Sequence, residues 1–143
     1  MVRRLRTLLA LTAAAIIFPL AFASPAYAGS AHFVDDMLSA SRDGDSITVS
    51  GKIAGLGDED QVHVVVTATA ACINPGGNKP QAANKQTITA EGDFPVQNGK
   101  ALFSLTVTAV FQPSCSPPMS VVFSDVSVTD ETSGITAALP GTF

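Results

Sequence analysis

Apolar and polar residues alternate along most of this chain, and a helical period of about 3.6 residues is sustained nowhere. The longest alternating run covers residues 61–72. Val62, Val64, Val66, Ala68, Ala70 and Cys72 fall on one face, and none of them is polar. His63, Val65, Thr67, Thr69 and Ala71 fall on the other. Successive side chains of a strand point to opposite faces, so the pattern predicts a central strand with its first face on a core and its second toward water. The run ends at a cysteine and breaks at once into Asn74-Pro75-Gly76-Gly77-Asn78. Prolines fix φ and glycines release it, so residues 73–85 read as a stiff, exposed loop.

Other strands flank this one. Residues 31–40 alternate poorly, and Asp35-Asp36 interrupts them, which predicts an edge strand or a break; a short helical turn fits the same residues. Asp43-Gly44 marks a turn. Residues 47–53 alternate cleanly, with Ile47, Val49, Gly51 and Ile53 opposite Thr48, Ser50 and Lys52. A short strand at 86–90 and a piece at 92–96 lead to Asn98-Gly99, the strongest hairpin signal in the chain. Residues 101–111 place Ala101, Phe103, Leu105, Val107, Ala109 and Phe111 inward. Residues 120–129 put Val122, Val126 and Val128 on one face, yet Val121 and Phe123 on the other, which predicts a bulge or extra burial near the start. Residues 135–139 form a last strand, stopped by Pro140. Seven strands separated by turn signals predict an all-β fold, an antiparallel seven-stranded immunoglobulin-like sandwich, with a small closed β-barrel as the alternative.

The beginning of the chain is of another kind. Arg3, Arg4 and Arg6 precede an apolar stretch, and Ala26-Tyr27-Ala28 supplies small residues where a signal peptidase reads. Residues 1–28 are therefore expected to be a signal peptide, and residues 29–143 a single secreted domain with no membrane span after cleavage. That domain has 115 residues, enough to bury its own core. It keeps all 12 acidic residues and five basic ones, a net charge of −7, which disfavours nucleic acid and favours solubility. Its two cysteines, Cys72 and Cys115, are expected to form a disulfide in an oxidising compartment. Two cysteines without a nearby histidine cluster do not make a zinc site, and secretion argues against a catalytic thiol.

The Gly55-Leu56-Gly57 bend, Ala70-Ala71-Cys72, the segment Cys72-Ile73-Asn74-Pro75-Gly76-Gly77-Asn78-Lys79-Pro80 with Asn84-Lys85, and Pro113-Ser114-Cys115 resemble small secreted actinomycete proteins. The resemblance spans most of the expected mature chain and is most specific after Cys72. It implies secretion and a disulfide, and brings no catalytic residue with it.

Candidate chemistry is sparse. His32 and His63 are the histidines, and no G-x-S-x-G elbow accompanies them. A small secreted hydrolase using either as base is the alternative from another function class. Asp58-Glu59-Asp60 is a weak candidate for calcium, because the D-x-D-x-D-G spacing is missing. Lys79 could enter the acidic pocket of a protease, but Pro80 follows it directly, which weakens an inhibitor reading. No cofactor motif occurs. The favoured expectation is a non-enzymatic binding or structural protein of the cell exterior. Its contact face is the disulfide-tied loop end, where Asn74, Asn78, Lys79, Gln81, Asn84 and Gln112 meet an extracellular protein or glycan.

Overall fold

The structure, a computed structural model, describes residues 29–76 and 84–143. The expected signal segment and residues 77–83 lie outside them. The alternating runs become strands β1 His32–Phe33, β2 Ser39–Asp43, β3 Ser46–Ala54, β4 Gln61–Ile73, β5 Lys85–Pro95, β6 Lys100–Thr108, β7 Ser120–Asp130 and β8 Ile135–Leu139. In one sheet β3 is central: β6 pairs along one edge, while β1 and β2 share the other. The second sheet runs β5-β4-β7-β8, and every pairing is antiparallel. Two separate sheets overturn the closed-barrel alternative. The first, second and fifth strands of the expected seven form one layer and the others form its partner, the arrangement of an immunoglobulin-like sandwich with an extra edge strand.

The count rises to eight because the first strand is broken. A 3-10 turn at Asp35–Met37 separates β1 from β2. In an unbroken strand one of two adjacent aspartates would point inward. The turn exposes both; Val34 N–H still reaches Lys52 O at 2.9 Å before it, and the edge resumes beyond it where Ser39 pairs with Ser50.

The inward faces agree with the alternation. Ile47, Val49, Ile53, Val62, Val64, Val66, Ala68 and Ala70 are fully buried. Burying a Val or Ile side chain contributes about 1.5–3 kcal/mol, so β3 and β4 hold the two layers together. Phe103 meets Phe33 and Phe94 edge-on, with ring centroids 6.1 and 6.2 Å apart. The outward faces carry hydroxyls that bond across strands, such as Thr48 to Thr106 at 2.7 Å and Thr129 to Thr136 at 2.9 Å.

Three sequence expectations need correction. Residues 85–95 form one continuous strand rather than two pieces, because β5 pairs with β4 from Ala71↔Lys85 to Gln61↔Pro95. The polar Glu91-Gly92-Asp93 looks like a break but lies mid-ladder. Asn98 and Gly99 make the expected turn, at φ 53 and 70, and Gln97 and Lys100 exchange both backbone bonds. Yet the flanking strands do not form a hairpin ladder: β5 stays with β4 and β6 with β3, so the turn carries the chain from one sheet to the other. Finally, β6 ends at Thr108, ahead of the expected residue 111.

The mixed faces of β7 have a local cause. Thr67 pairs with Ser127 and Thr69 with Ser124, so one residue of β4 stands opposite two of β7. Asp125 takes up the extra residue with φ 50. The bulge shifts the inward set from odd to even positions, burying Val121 and Phe123 before it and Val126, Val128 and Asp130 after it.

Candidate functional site

The bridge sits where β4 runs out. Cys72 is the last inward residue of the strand, and its alternation aims the sulfur into the sandwich. Cys115 lies in the segment between β6 and β7, with its Cα 5.7 Å from that of Cys72 and a disulfide between them. Met119 Sδ lies 3.9 Å from Cys72 Sγ, a van der Waals contact since no thiol proton remains.

The segment from 109 to 119 is pinned at several points. Ala109 N–H donates to Asp45 O at 2.8 Å, and Gln86 Nε2 donates to Val110 O at 2.9 Å. Phe111 and Cys115 pack on the core. Between these anchors Gln112, Pro113, Ser114, Ser116, Pro117 and Pro118 are exposed. Ser114 and Ser116 bond through their hydroxyls at 3.2 Å, and Met119 N–H donates to Ser116 O at 3.0 Å. Of the sequence candidates, Asn74, Asn84 and Gln112 are exposed around this pole. Asn78, Lys79 and Gln81 lie outside the described residues.

Sequence reasoning missed the neighbouring depression. Thr69, Lys85, Gln86 and Thr87 line an open hollow of about 340 Å³. Thr69 and Thr87 are cross-strand partners, as are Ala71 and Lys85, so the β4–β5 register places the hollow near the end of β4, on the outer face of the sheet and opposite to the face that carries Cys72. The signal was present in the outward threonines of β4, but only the register reveals which residues of β5 face them. Hydroxyls and an ammonium in one hollow suit a ligand rich in hydrogen-bonding groups.

The histidines occupy other places. His63 Nδ1 lies 2.8 Å from Asp93 Oδ1, its cross-strand partner. A carboxylate only accepts, so Nδ1 carries the proton. Nε2 faces Glu91 Oε2 at 3.9 Å. The backbone of His63 is held too, donating to Thr132 Oγ1 at 2.9 Å and accepting from Glu131 N–H at 2.9 Å. His32 Nδ1 bonds Ser30 O at 2.8 Å. The Nδ1–Asp93 bond is of the kind that orients the imidazole of a triad, while Nε2 has Glu91 near it at 3.9 Å rather than a hydroxyl. Asp58, Glu59 and Asp60 are exposed, and among the described residues no three acidic, histidine or cysteine groups converge as metal ligands.

The hydrogen bond to Asp93, with the negative charges of Asp93, Glu91 and Glu131, raises the His63 pKa above its ordinary 6.5. Protonated His63 is therefore favoured by the fold. Its contribution is complete below pH 6.5 and is lost as pH rises through the folded-state value. In an NMR titration Asp93→Asn is expected to move the His63 midpoint down toward 6.5. An unchanged midpoint contradicts the pairing.

The chain matches no protein family and no curated protein. Among solved structures it is similar to a β-glucuronidase of Bacteroides uniformis, with 13% identity and a TM-score of 0.35. The match covers 76% of this chain and 14% of the enzyme's, too slight a likeness to assign a role.

Proposed function

We propose that this chain is a secreted, non-enzymatic β-sandwich that binds an extracellular protein or glycan, or serves as a structural component there, through its disulfide-tied pole. The observation that carries the reading is the Cys72–Cys115 bridge, which ties the end of the central strand to an exposed proline-rich segment. Stiff loops lose little entropy on binding, and exposed amides and hydroxyls on them offer directional bonds. An intramolecular disulfide suits an oxidising exterior. Among the described residues no helix is long and apolar enough to cross a membrane.

Glycan arrays and cell-wall pull-downs test the reading. Asn84→Ala with Gln112→Ala is expected to weaken capture about tenfold or more, as loss of two interface hydrogen bonds would, while the melting temperature stays put. Undiminished capture removes the pole as contact face. Turnover of ester, peptide or glycan substrates that disappears in His63→Ala replaces the binding reading with the hydrolase one.

A further inference from the structure

Backbone N–H and C=O groups are obligatory hydrogen bonders, and an edge strand turns a row of them away from its sheet. β8 pairs with β7 along one side, and among the described residues no strand pairs along the other. Folded proteins blunt such edges with charge, proline, a bulge or extreme shortness. The remaining edges of this sandwich are blunted. β1 has two residues, and β2 lies between the Asp35–Met37 turn and the charged pair Arg42-Asp43. β5 carries Lys85, Glu91 and Asp93, ends in Pro95, and lies against β6, the edge of the other sheet. β8 reads Ile-Thr-Ala-Ala-Leu, with neither charge nor proline, and is close to the usual strand length.

An apolar hollow adjoins this bare edge. Leu38 and Ala40 from the first sheet, with Leu139, Pro140 and Phe143 from the second, border about 320 Å³ of open space. Paired residues of antiparallel strands point to the same side. A strand laid against β8 therefore sets its inward side chains level with Ile135, Ala137 and Leu139, and the one opposite Leu139 lies over the hollow.

Charge selects among strands. Asp35 also lines the hollow, and Asp36 follows it in the same turn. Glu131 opens the turn before β8, Asp125 precedes the Val126 that pairs with Leu139, and Asp43 ends β2. All five are exposed. Against them stand Arg42, beside Asp43, and Lys52, whose carbonyl accepts from Val34 N–H next to the Asp35 turn. Lys85 and Lys100 lie on β5 and β6, at the opposite edges of the two sheets. His63 carries Asp93 and Glu91 with it, so its proton does not reverse the sign. Five carboxylates outnumber two cations here, and the expected domain charge of −7 has the same sign. Near and distant fields thus both favour a cationic ligand and oppose a second copy of this chain.

We propose that the free edge of β8 takes a basic extended segment of a partner protein as a fifth strand of the second sheet. Main-chain bonds hold the segment to β8, and an apolar side chain opposite Leu139 fills the hollow. Flanking Lys or Arg groups reach Asp35 at one end and Glu131 at the other.

The test uses the secreted domain and a labelled, acetylated and amidated peptide, Lys-Val-Thr-Val-Thr-Val-Lys. The peptide is expected to bind saturably and to slow hydrogen exchange at the alternate β8 amides that point away from β7. Two further versions carry N-methyl groups on alternate backbone nitrogens, one on each set. One version is expected to lose binding and the other to keep it, because only one side of a strand's backbone faces its neighbour. Asp35→Asn with Glu131→Gln is expected to weaken binding about tenfold at an unchanged melting temperature, since both side chains are exposed. Replacing the peptide's lysines by glutamates is expected to abolish it. No saturable binding, equal binding of the two methylated versions or of the glutamate peptide, or protection confined to amides outside β8 overturns the proposal. Self-association that protects the same β8 amides without peptide also overturns it, by giving the edge to a second copy. The variants leave the Cys72–Cys115 pole untouched, so failure here leaves the proposed function standing.

Discussion

Replacing both cysteines, Cys72→Ala with Cys115→Ala, is expected to lower the unfolding free energy by about 4 kcal/mol, the loop-closure value for a bridge spanning 43 residues. Small domains are stable by only about 5–15 kcal/mol, so the variant loses a large share of its margin. The bridge joins the end of β4 to a segment with little ladder of its own, and without it that segment keeps only the anchors at Ala109, Val110 and Phe111. Urea denaturation of both proteins measures the difference. A loss under about 1 kcal/mol, within the spread of ordinary surface changes, would show that the bridge constrains little.

Phe123→Ala is expected to cost about 3–5 kcal/mol, the usual range for emptying a buried aromatic site. Phe123 is fully buried and heads the large buried side chains. Its strand neighbours hold it from both sides: it pairs with Ala70 on β4, and its backbone exchanges two bonds with Phe143 at 3.0 and 2.9 Å. The bulge immediately after it prevents β7 from sliding to refill the space, because a shift by one residue would turn Val126 and Val128 outward. Leu102→Ala, at an exposed position of β6, is the matched control, expected within about 0.5 kcal/mol of the parent. Equal losses in the two variants would contradict the placement of the core.

How much of this was legible beforehand differs by element. The inward faces of β3 and β4 could be read directly, because a buried strand face must be apolar and a period of two leaves no ambiguity about which residues share it. The Cys72–Cys115 pairing followed from there being only two cysteines. The Asp35-Asp36 interruption signalled a break, though not its 3-10 form. What stayed hidden depends on pairing between distant residues. Nothing in Glu91-Gly92-Asp93 reveals that it lies inside a ladder, and the register that delivers Asp93 to His63 and Thr87 to Thr69 is fixed only when β5 lies against β4. His63 therefore read as a plain surface residue, and the polar hollow on the outer face near the end of β4 went unseen. The Asn98-Gly99 turn was locally correct, but a turn does not determine which sheet receives the strand that leaves it. The bulge at Asp125 was foreshadowed by the conflicting faces of Val121, Phe123 and Val126, since a single uninterrupted strand could not bury all three.

The Asp93–His63 pair and the disulfide pole lie toward opposite ends of β4, at His63 and Cys72. A change of pH across the His63 titration is thus expected to act at the β7–β8 turn, through Glu131 and Thr132, rather than at the proposed contact face.

Backbone 15N order parameters at Val110, Ser114, Ser116 and Met119 test most directly whether the bridge turns an irregular segment into a rigid face. With the disulfide intact these amides are expected to approach the strand value of about 0.85, and in the double alanine variant to fall below about 0.6 while β3 and β4 stay unchanged. Values already below about 0.6 with the bridge in place would contradict the account.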